Sequence, residues 1–184
     1  MKYINDSLNQ TMVLRGKDVI LRGPKEQDIE DILNCGRHAE IVRMYGGDTR
    51  DIKPLTRDDA VAKYREALSI PLLWIIEVEG HYIGIVRLTV SDQDKRARYA
   101  VGIADINKLG KGIGTEVTKL VLGYAFNTLK LHRVDLRVLE YNKGAIACFT
   151  KCGLRKEGVE REGALIEDKW ETDVMMSILD REFK

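Results

Sequence analysis

The chain predicts a mixed α/β fold in one domain, and three observations carry that expectation. A β-rich run at 96–103, a glycine-rich loop at 109–115, a long apolar-periodic helix and a second β-rich run at 133–139 follow one another directly. Strand, loop, helix and strand in that order make a βαβ unit with parallel strands and a right-handed crossover. Upstream, strands at 72–79, 82–90 and 96–103 return through tight turns, as antiparallel neighbours do. A length of 184 residues suits one domain with a proper core.

In chain order, residues 1–12 read as a tail and 13–184 as the domain. The segment 13–22 alternates around Gly16-Lys17-Asp18, which predicts an opening hairpin stopped by Gly23-Pro24. Lys25-Glu26-Gln27-Asp28 opens a helix in which Ile29, Ile32 and Leu33 keep a 3.6 period, with Gly36 near its end. Gly46-Gly47, Asp48 and Pro54 mark 41–54 as a loop with at most a short helical turn. Thr56 is an N-cap, Asp58 and Asp59 fill the first turn, and Ala60, Val61, Tyr64, Ala67 and Leu68 form an apolar face. The strands that follow turn at Gly80-His81 and at Asp92-Gln93-Asp94-Lys95. Gly102 inside a strand signals either a bulge or a close approach by something else.

The helix at 112–129 shows one broad inward face: Val117, Leu120, Val121, Tyr124, Ala125 and Leu129. Asn142 ends the next strand. A short helix at 143–152 stops at Gly153, a left-handed cap. Strands at 154–161 and 167–179, turned around Glu162-Gly163, close the chain.

Composition narrows the function. A net charge of +1 argues against a strong nucleic-acid or membrane field, and no apolar run is long enough for a membrane span. The polar N-terminus lacks a signal-peptide core, and three cysteines without framework spacing fit a reduced, cytoplasmic setting. Cys148 and Cys152, one helical turn apart, read as small core residues. The three histidines are scattered, so no metal site is expected.

The chemistry concentrates in Leu109-Gly110-Lys111-Gly112-Ile113-Gly114-Thr115. A helix N-terminus has N–H groups without intrahelical partners and partial positive charge. Glycines let a bulky anion approach those groups, and Lys111 adds a cation. Phosphate or pyrophosphate is the expected guest. A P-loop would need Ser or Thr after Lys111, and a dinucleotide fingerprint would need glycine at Thr115.

What remains, x-x-x-Gly-x-Gly at 109–114, resembles the acyl-CoA loop of the GNAT acetyltransferase superfamily, although Leu109 stands where Gln or Arg is usual. Downstream, Asn142, Ala145-Ile146, Phe149, Lys151 and Gly153-Leu154 resemble the family's Asn-x-x-Ala-Ile-x-x-Tyr-x-Lys-x-Gly-Phe segment. Glu157-Gly158, Arg161-Glu162, Asp168 and Met175-Met176 resemble the ribosomal-protein N-terminal acetyltransferase branch, which also holds polyamine and antibiotic acetyltransferases. The resemblance implies a GNAT fold: a twisted, mostly antiparallel sheet of about seven strands, one parallel pair splayed apart, helices on both faces. It implies acetyl-CoA as co-substrate, held by Val101, Gly102 and Ile103 along one strand, by Leu109, Gly110, Lys111, Gly112, Ile113, Gly114 and Thr115, and by Asn142, Ala145, Phe149 and Lys151.

The acceptor implied is a primary amine, on a small molecule or a protein N-terminus, attacking the thioester directly, and a homodimer is in keeping with the family. A backbone N–H of 101–103 would hold the oxyanion. The usual acid–base groups are missing: Phe149 replaces a Tyr, Ala145 a Ser, and Arg98-Tyr99-Ala100 a strand Glu. Glu162 is the first candidate base, then Glu140 and Tyr141, with Asp105 also in view. Tyr45, Asp48, Asp51, Asp58 and Asp59 would favour a cationic amine, although the acidic first-turn residues also have the plain helix-dipole explanation, the one preferred here. The alternative is a non-catalytic acyl-CoA-binding module that has lost its acid and base.

Overall fold

The computed structural model describes residues 12–184. The tail expected at 1–12 lies outside them except for Met12, whose carbonyl accepts from Trp74 Nε1 at 2.8 Å. In chain order the described elements are β1 (Leu14–Arg15), β2 (Ile20–Arg22), α1 (Asp28–Cys35), α2 (Ala39–Met44), α3 (Arg57–Ser69), β3 (Leu73–Val78), β4 (His81–Ser91), β5 (Arg96–Ile103), α4 (Ile113–Gly123), β6 (Arg133–Leu139), α5 (Lys143–Lys151), β7 (Arg155–Ile166) and β8 (Lys169–Leu179). The eight described strands form one sheet in the order β1-β2-β3-β4-β5-β6-β8-β7. Every neighbouring pair is antiparallel except β5–β6.

Side-chain alternation in β3 shows why helices cover both faces. Trp74 and Ile76 join the larger core with Val117 and Val121 of α4 and Phe149 of α5. Leu73 and Ile75 point the other way, to Ile29 and Ile32 of α1 and Ala60 and Ala67 of α3. A capping box starts α3: Thr56 Oγ1 accepts from Asp59 N at 3.1 Å, and the Asp59 carboxylate accepts from Thr56 N at 2.9 Å. Leu68 departs from the expected inward face and is 56% exposed. It lies about 80° round the helix from Ala60, on the flank that the sheet does not cover. The long helix keeps its inward stripe past Gly123 but widens into a π turn over Tyr124–Thr128, where Leu129 N donates to Tyr124 O at 3.0 Å.

Two turns sit elsewhere than the sequence suggests. The β3–β4 turn is Glu79-Gly80, with φ of 53° and 85°, a two-residue left-handed hairpin turn. The β7–β8 turn is Glu167-Asp168, with φ of 51° and 63°. Glu162-Gly163 is not that turn. Pairing with β8 resumes at Ala164↔Glu171 after a register break from Glu160, so Glu162 (φ 56°) belongs to a bulge inside β7. Gly163 fits the bulge because a Cβ there would lie 2.9 Å from Glu160 Cγ. A glycine in a polar run signals a turn and a bulge alike.

The parallel pair positions the site. β5 and β6 pair only at Arg96↔Arg133, Ala97↔Val134 and Arg98↔Asp135, and then part. The closed end is held by charge: Asp135, 2% exposed, accepts from Arg96 Nη2 at 2.5 Å and Arg98 Nε at 3.1 Å, with Arg133 Nε 3.5 Å away. Beyond that clamp the strands leave a wedge-shaped gap.

Candidate active site

The gap opens into a cavity of about 950 Å³, within the usual range for a small-molecule site. Val101, Ile103, Leu109, Gly110, Gly112, Gly114, Thr115, Asn142, Ala145, Phe149 and Lys151 line it, so most of the expected cofactor residues meet there. Gly102, Lys111 and Ile113 do not line it. Gly102 pairs with Ile85 of β4, and the Ile113 side chain is buried in the larger core, so only their main chain is near the gap.

The glycine loop forms an open anion cradle. Gly110 and Gly112 have φ of 71° and 83°, and an added Cβ at either would meet no atom within 4 Å. No side chain caps α4, whose N-cap is Gly112. Among the described residues, the main-chain N–H groups of 110–114 find no acceptor, while Thr115 N and Glu116 N turn back to Gly112 O at 3.0 and 3.1 Å. Unpaired donors at a helix N-terminus suit a diphosphate, and Lys143 and Lys151 lie on the same cavity wall. The chain therefore fits coenzyme A at this place.

Along β5 the free edge is visible in its hydrogen bonds. Ala104 N donates to Ile83 O of β4 at 2.7 Å, whereas Ile103 N points into the gap and donates to the Tyr45 hydroxyl at 2.9 Å. By alternation Val101 faces the gap as well. Gly102 is explained by a close approach, not a bulge: its Cβ would lie 3.3 Å from Tyr45 Oη.

Across the gap a strap formed by the end of α2 and the residues after it is tied to distant elements. The Tyr141 hydroxyl donates to Arg43 O at 2.6 Å, and the Arg43 guanidinium sits 5.0 Å from the centre of the Tyr141 ring. Asn142 does two jobs: its Oδ1 accepts from Ala145 N at 3.1 Å, capping α5, and its Nδ2 donates to Met44 O at 3.2 Å. Glu167 accepts from Thr49 N at 2.9 Å, and Asp168 pairs with Arg50.

Glu40, Arg137 and Asp173 also line the cavity. Asp173 is 5% exposed, and Arg137 Nε lies 3.3 Å from its carboxylate. Desolvation raises its pKa above the ordinary aspartate value, with Arg137 opposing and Glu160 assisting. The sequence reasoning missed this residue. Its only signal was being the last of four carboxylates, Glu167, Asp168, Glu171 and Asp173, before the apolar run Val174-Met175-Met176.

Of the candidate acid–base groups, Tyr141 lines the cavity, while Glu140 and Glu162 do not. The Glu162 premise, a place on the hairpin turn beside the cleft, is corrected by the bulge described above. Asp105 caps a 3₁₀ turn through Asn107 N at 2.9 Å, Asp48 is bonded to Arg50, and Asp59 is spent in its capping box. Cys148, also on the wall, is held below the ordinary thiol value by hydrogen bonds from Cys152, Thr115 and Thr118 and by Lys151. Among the described residues no group of three or more His, Cys, Asp or Glu could hold a metal ion, and no helix is long and apolar enough to cross a membrane.

Compared with known proteins, residues 18–155 match the acetyltransferase (GNAT) domain family. Probable N-acetyltransferase YjcK of Bacillus subtilis (strain 168) is 43% identical over 70 residues, 38% of this chain and 39% of that protein. Spermidine N(1)-acetyltransferase of Escherichia coli (strain K12) is 27% identical over 111 residues, 60% of this chain and 59% of that protein. The chain thus matches less than two thirds of the length of either curated relative. Among solved structures, a GNAT-family acetyltransferase from Bacillus anthracis superposes with a TM-score of 0.80 at 16% identity, covering 93% of this chain and 100% of the other. Spermidine N-acetyltransferase from Vibrio cholerae, in complex with CoA and spermine, does so with 0.74 at 22% identity, covering 91% and 98%. At such identities the likeness is one of fold.

Proposed function

The chain belongs to the GNAT acetyltransferase domain family, and from that premise we propose that it moves the acetyl group of acetyl-CoA to a primary amine of a small molecule. One observation carries the proposal. A loop whose five consecutive main-chain N–H groups lack acceptors among the described residues lines, through Gly110, Gly112 and Gly114, the same cavity as the free edge of β5 and the buried carboxylate of Asp173.

The loop at 110–114 binds the diphosphate, with Lys143 and Lys151 adding charge. The pantetheine arm adds to β5 in the manner of a strand, through the carbonyls of Val101 and Ile103. The thioester then lies between the parted strands, where the Val101 N–H on the same free edge meets the developing oxyanion, the Ile103 N–H being held by the Tyr45 hydroxyl. An alkyl amine is mostly protonated at neutral pH. Asp173 replaces Glu162 as the group we assign to bind the ammonium and take its proton. A carboxylate with a raised pKa is better matched to that transfer than an ordinary one. Holding both reactants in one cleft supplies much of the rate through orientation.

Glu40 and Asp173 on the acceptor wall favour a cationic acceptor, and spermidine, named in the relatives, is a small polyamine. The test is calorimetric titration with acetyl-CoA, then thiol release against polyamines, monoamines and a peptide with a free N-terminus. Binding without thiol release on any amine would leave a non-catalytic acyl-CoA module. Faster turnover of the peptide than of every small amine would move the acceptor to protein N-termini, as the ribosomal-protein branch implies. Failure to bind acetyl-CoA would sink the proposal.

A further inference from the structure

We infer that Tyr45 gives the departing sulfur its proton, an assignment that rests on the acetyl-transfer function proposed above. Expelling a thiolate into a cleft with a mostly apolar lining leaves a charge that a nearby O–H relieves. Three tyrosines line the cavity, and their hydroxyl protons can be followed one by one.

Tyr99 Oη lies 2.9 Å from Thr118 Oγ1. Thr118 spends its own proton on Gly114 O at 2.7 Å, so Tyr99 must be the donor in that pair. Tyr141 gives its proton to Arg43 O at 2.6 Å. Tyr45 differs from both. Its oxygen accepts the Ile103 N–H at 2.9 Å, and among the described residues no acceptor takes its proton. Accepting one hydrogen bond polarises the O–H towards giving another.

Its place is fixed as well. Asn142 holds Met44 O and Tyr141 holds Arg43 O, which anchors the chain just before Tyr45. Gly102, lacking a Cβ, lets the ring lie against β5. The phenol therefore stands at the free edge of β5 where the two strands have parted, the end to which a thioester laid along Val101 and Ile103 is delivered. Phe149, also on the wall, has no proton to offer.

The step balances. Asp173 first takes the ammonium's proton and releases it to water; the neutral amine nitrogen then bonds to the carbonyl carbon and loses a second proton to Asp173. As the tetrahedral adduct collapses, the C–S bond breaks and its electron pair goes to sulfur. The Tyr45 proton moves to that sulfur, giving the free thiol. The phenolate regains a proton through water from Asp173, and the amide leaves.

The test is Tyr45→Phe, which keeps the ring and removes the hydroxyl. The expected result is a fall in kcat of about 100-fold, the usual reach of one general acid. Acetyl-CoA affinity by calorimetry should stay within roughly threefold, which separates a proton donor from a binding group. Adding Phe149→Tyr to that variant should restore part of kcat by offering a phenol from the opposite wall. A Tyr45→Phe enzyme within about twofold of the native kcat would overturn the assignment, since a general acid is worth more than that. Tighter acetyl-CoA binding with unchanged kcat would likewise make Tyr45 a mere placeholder on Ile103. A native protein that binds acetyl-CoA and acetylates nothing would instead defeat the acetyl-transfer function itself, and this assignment with it.

Discussion

The two ends of the cavity are built from different materials. At the end proposed here for the diphosphate the wall is main chain: consecutive N–H groups at 110–114, left unpaired where a helix begins. At the end proposed for the acceptor it is side chains tied across long stretches of sequence. Tyr141 and Asn142 reach Arg43 and Met44 over 98 positions, and Glu167 reaches Thr49 over 118. The first wall needs only local chain geometry, so it suits a ligand that changes little from enzyme to enzyme. The second depends on which side chains meet, so it can be retuned for a different amine while the first stays as it is.

Substitutions at the two ends should therefore separate cleanly. The largest effect is expected from Gly112→Asp. A carboxylate among the loop amides should weaken acetyl-CoA binding by roughly 100-fold, about 2.7 kcal/mol, in a calorimetric titration. Asp tolerates a left-handed backbone better than most residues and is a good N-cap, so the thermal midpoint should hold. Unchanged affinity would mean that the loop is not the diphosphate site.

Next comes Asp173→Asn, which should cut kcat/KM for the amine by about 100-fold, the lower reach of a lost base, and leave acetyl-CoA affinity alone. Its pH profile has a defined sign. A base works only when deprotonated, and burial raises the Asp173 pKa. The acid limb of kcat/KM should therefore fall at a pH above the ordinary aspartate range, and the variant should lose that limb. Equal losses of amine and acetyl-CoA binding would erase the distinction between the two ends.

A smaller effect is expected from Glu167→Asn, which keeps a residue tolerant of φ 51° but is too short to hold Thr49. The amine KM should rise by roughly fivefold, with kcat nearly unchanged. Hydrogen bonds from the Thr49 hydroxyl and N–H lower the Glu167 pKa in the folded protein. That tether contributes fully above the unfolded carboxyl pKa and is lost as pH falls through the lower folded one. The lead of the native protein over the variant in thermal midpoint should therefore close through that acid range.

The smallest probe is chemical. Cys148 is depressed below the usual thiol range, whereas burial pushes Cys35 up to about 12. Iodoacetamide at neutral pH should label Cys148 first, and acetyl-CoA should slow it. Mass mapping showing Cys35 labelled first would contradict the picture of the wall.

What was legible in the sequence follows the same division. The loop at 109–115, the strands 96–103 and 133–139 and the Thr56 cap are written in neighbouring residues, and each stands where periodicity and capping placed it. The turn at Glu167-Asp168 was hidden because neither residue is glycine, while Gly163, in a bulge, looked the better turn. Asp173 was hidden because its burial comes from its neighbours across the sheet, which no local pattern displays. Tyr45 stood out only as a residue able to meet an amine. Its bond to Ile103 joins positions 58 apart, a fact of tertiary structure alone.

Gly102 also sets how closely the strap can sit on the sheet. A methyl carbon at that position would lie 3.3 Å from the phenol oxygen, so Gly102→Ala should push the Tyr45 ring outward by a few tenths of an ångström and lengthen its bond to the Ile103 N–H.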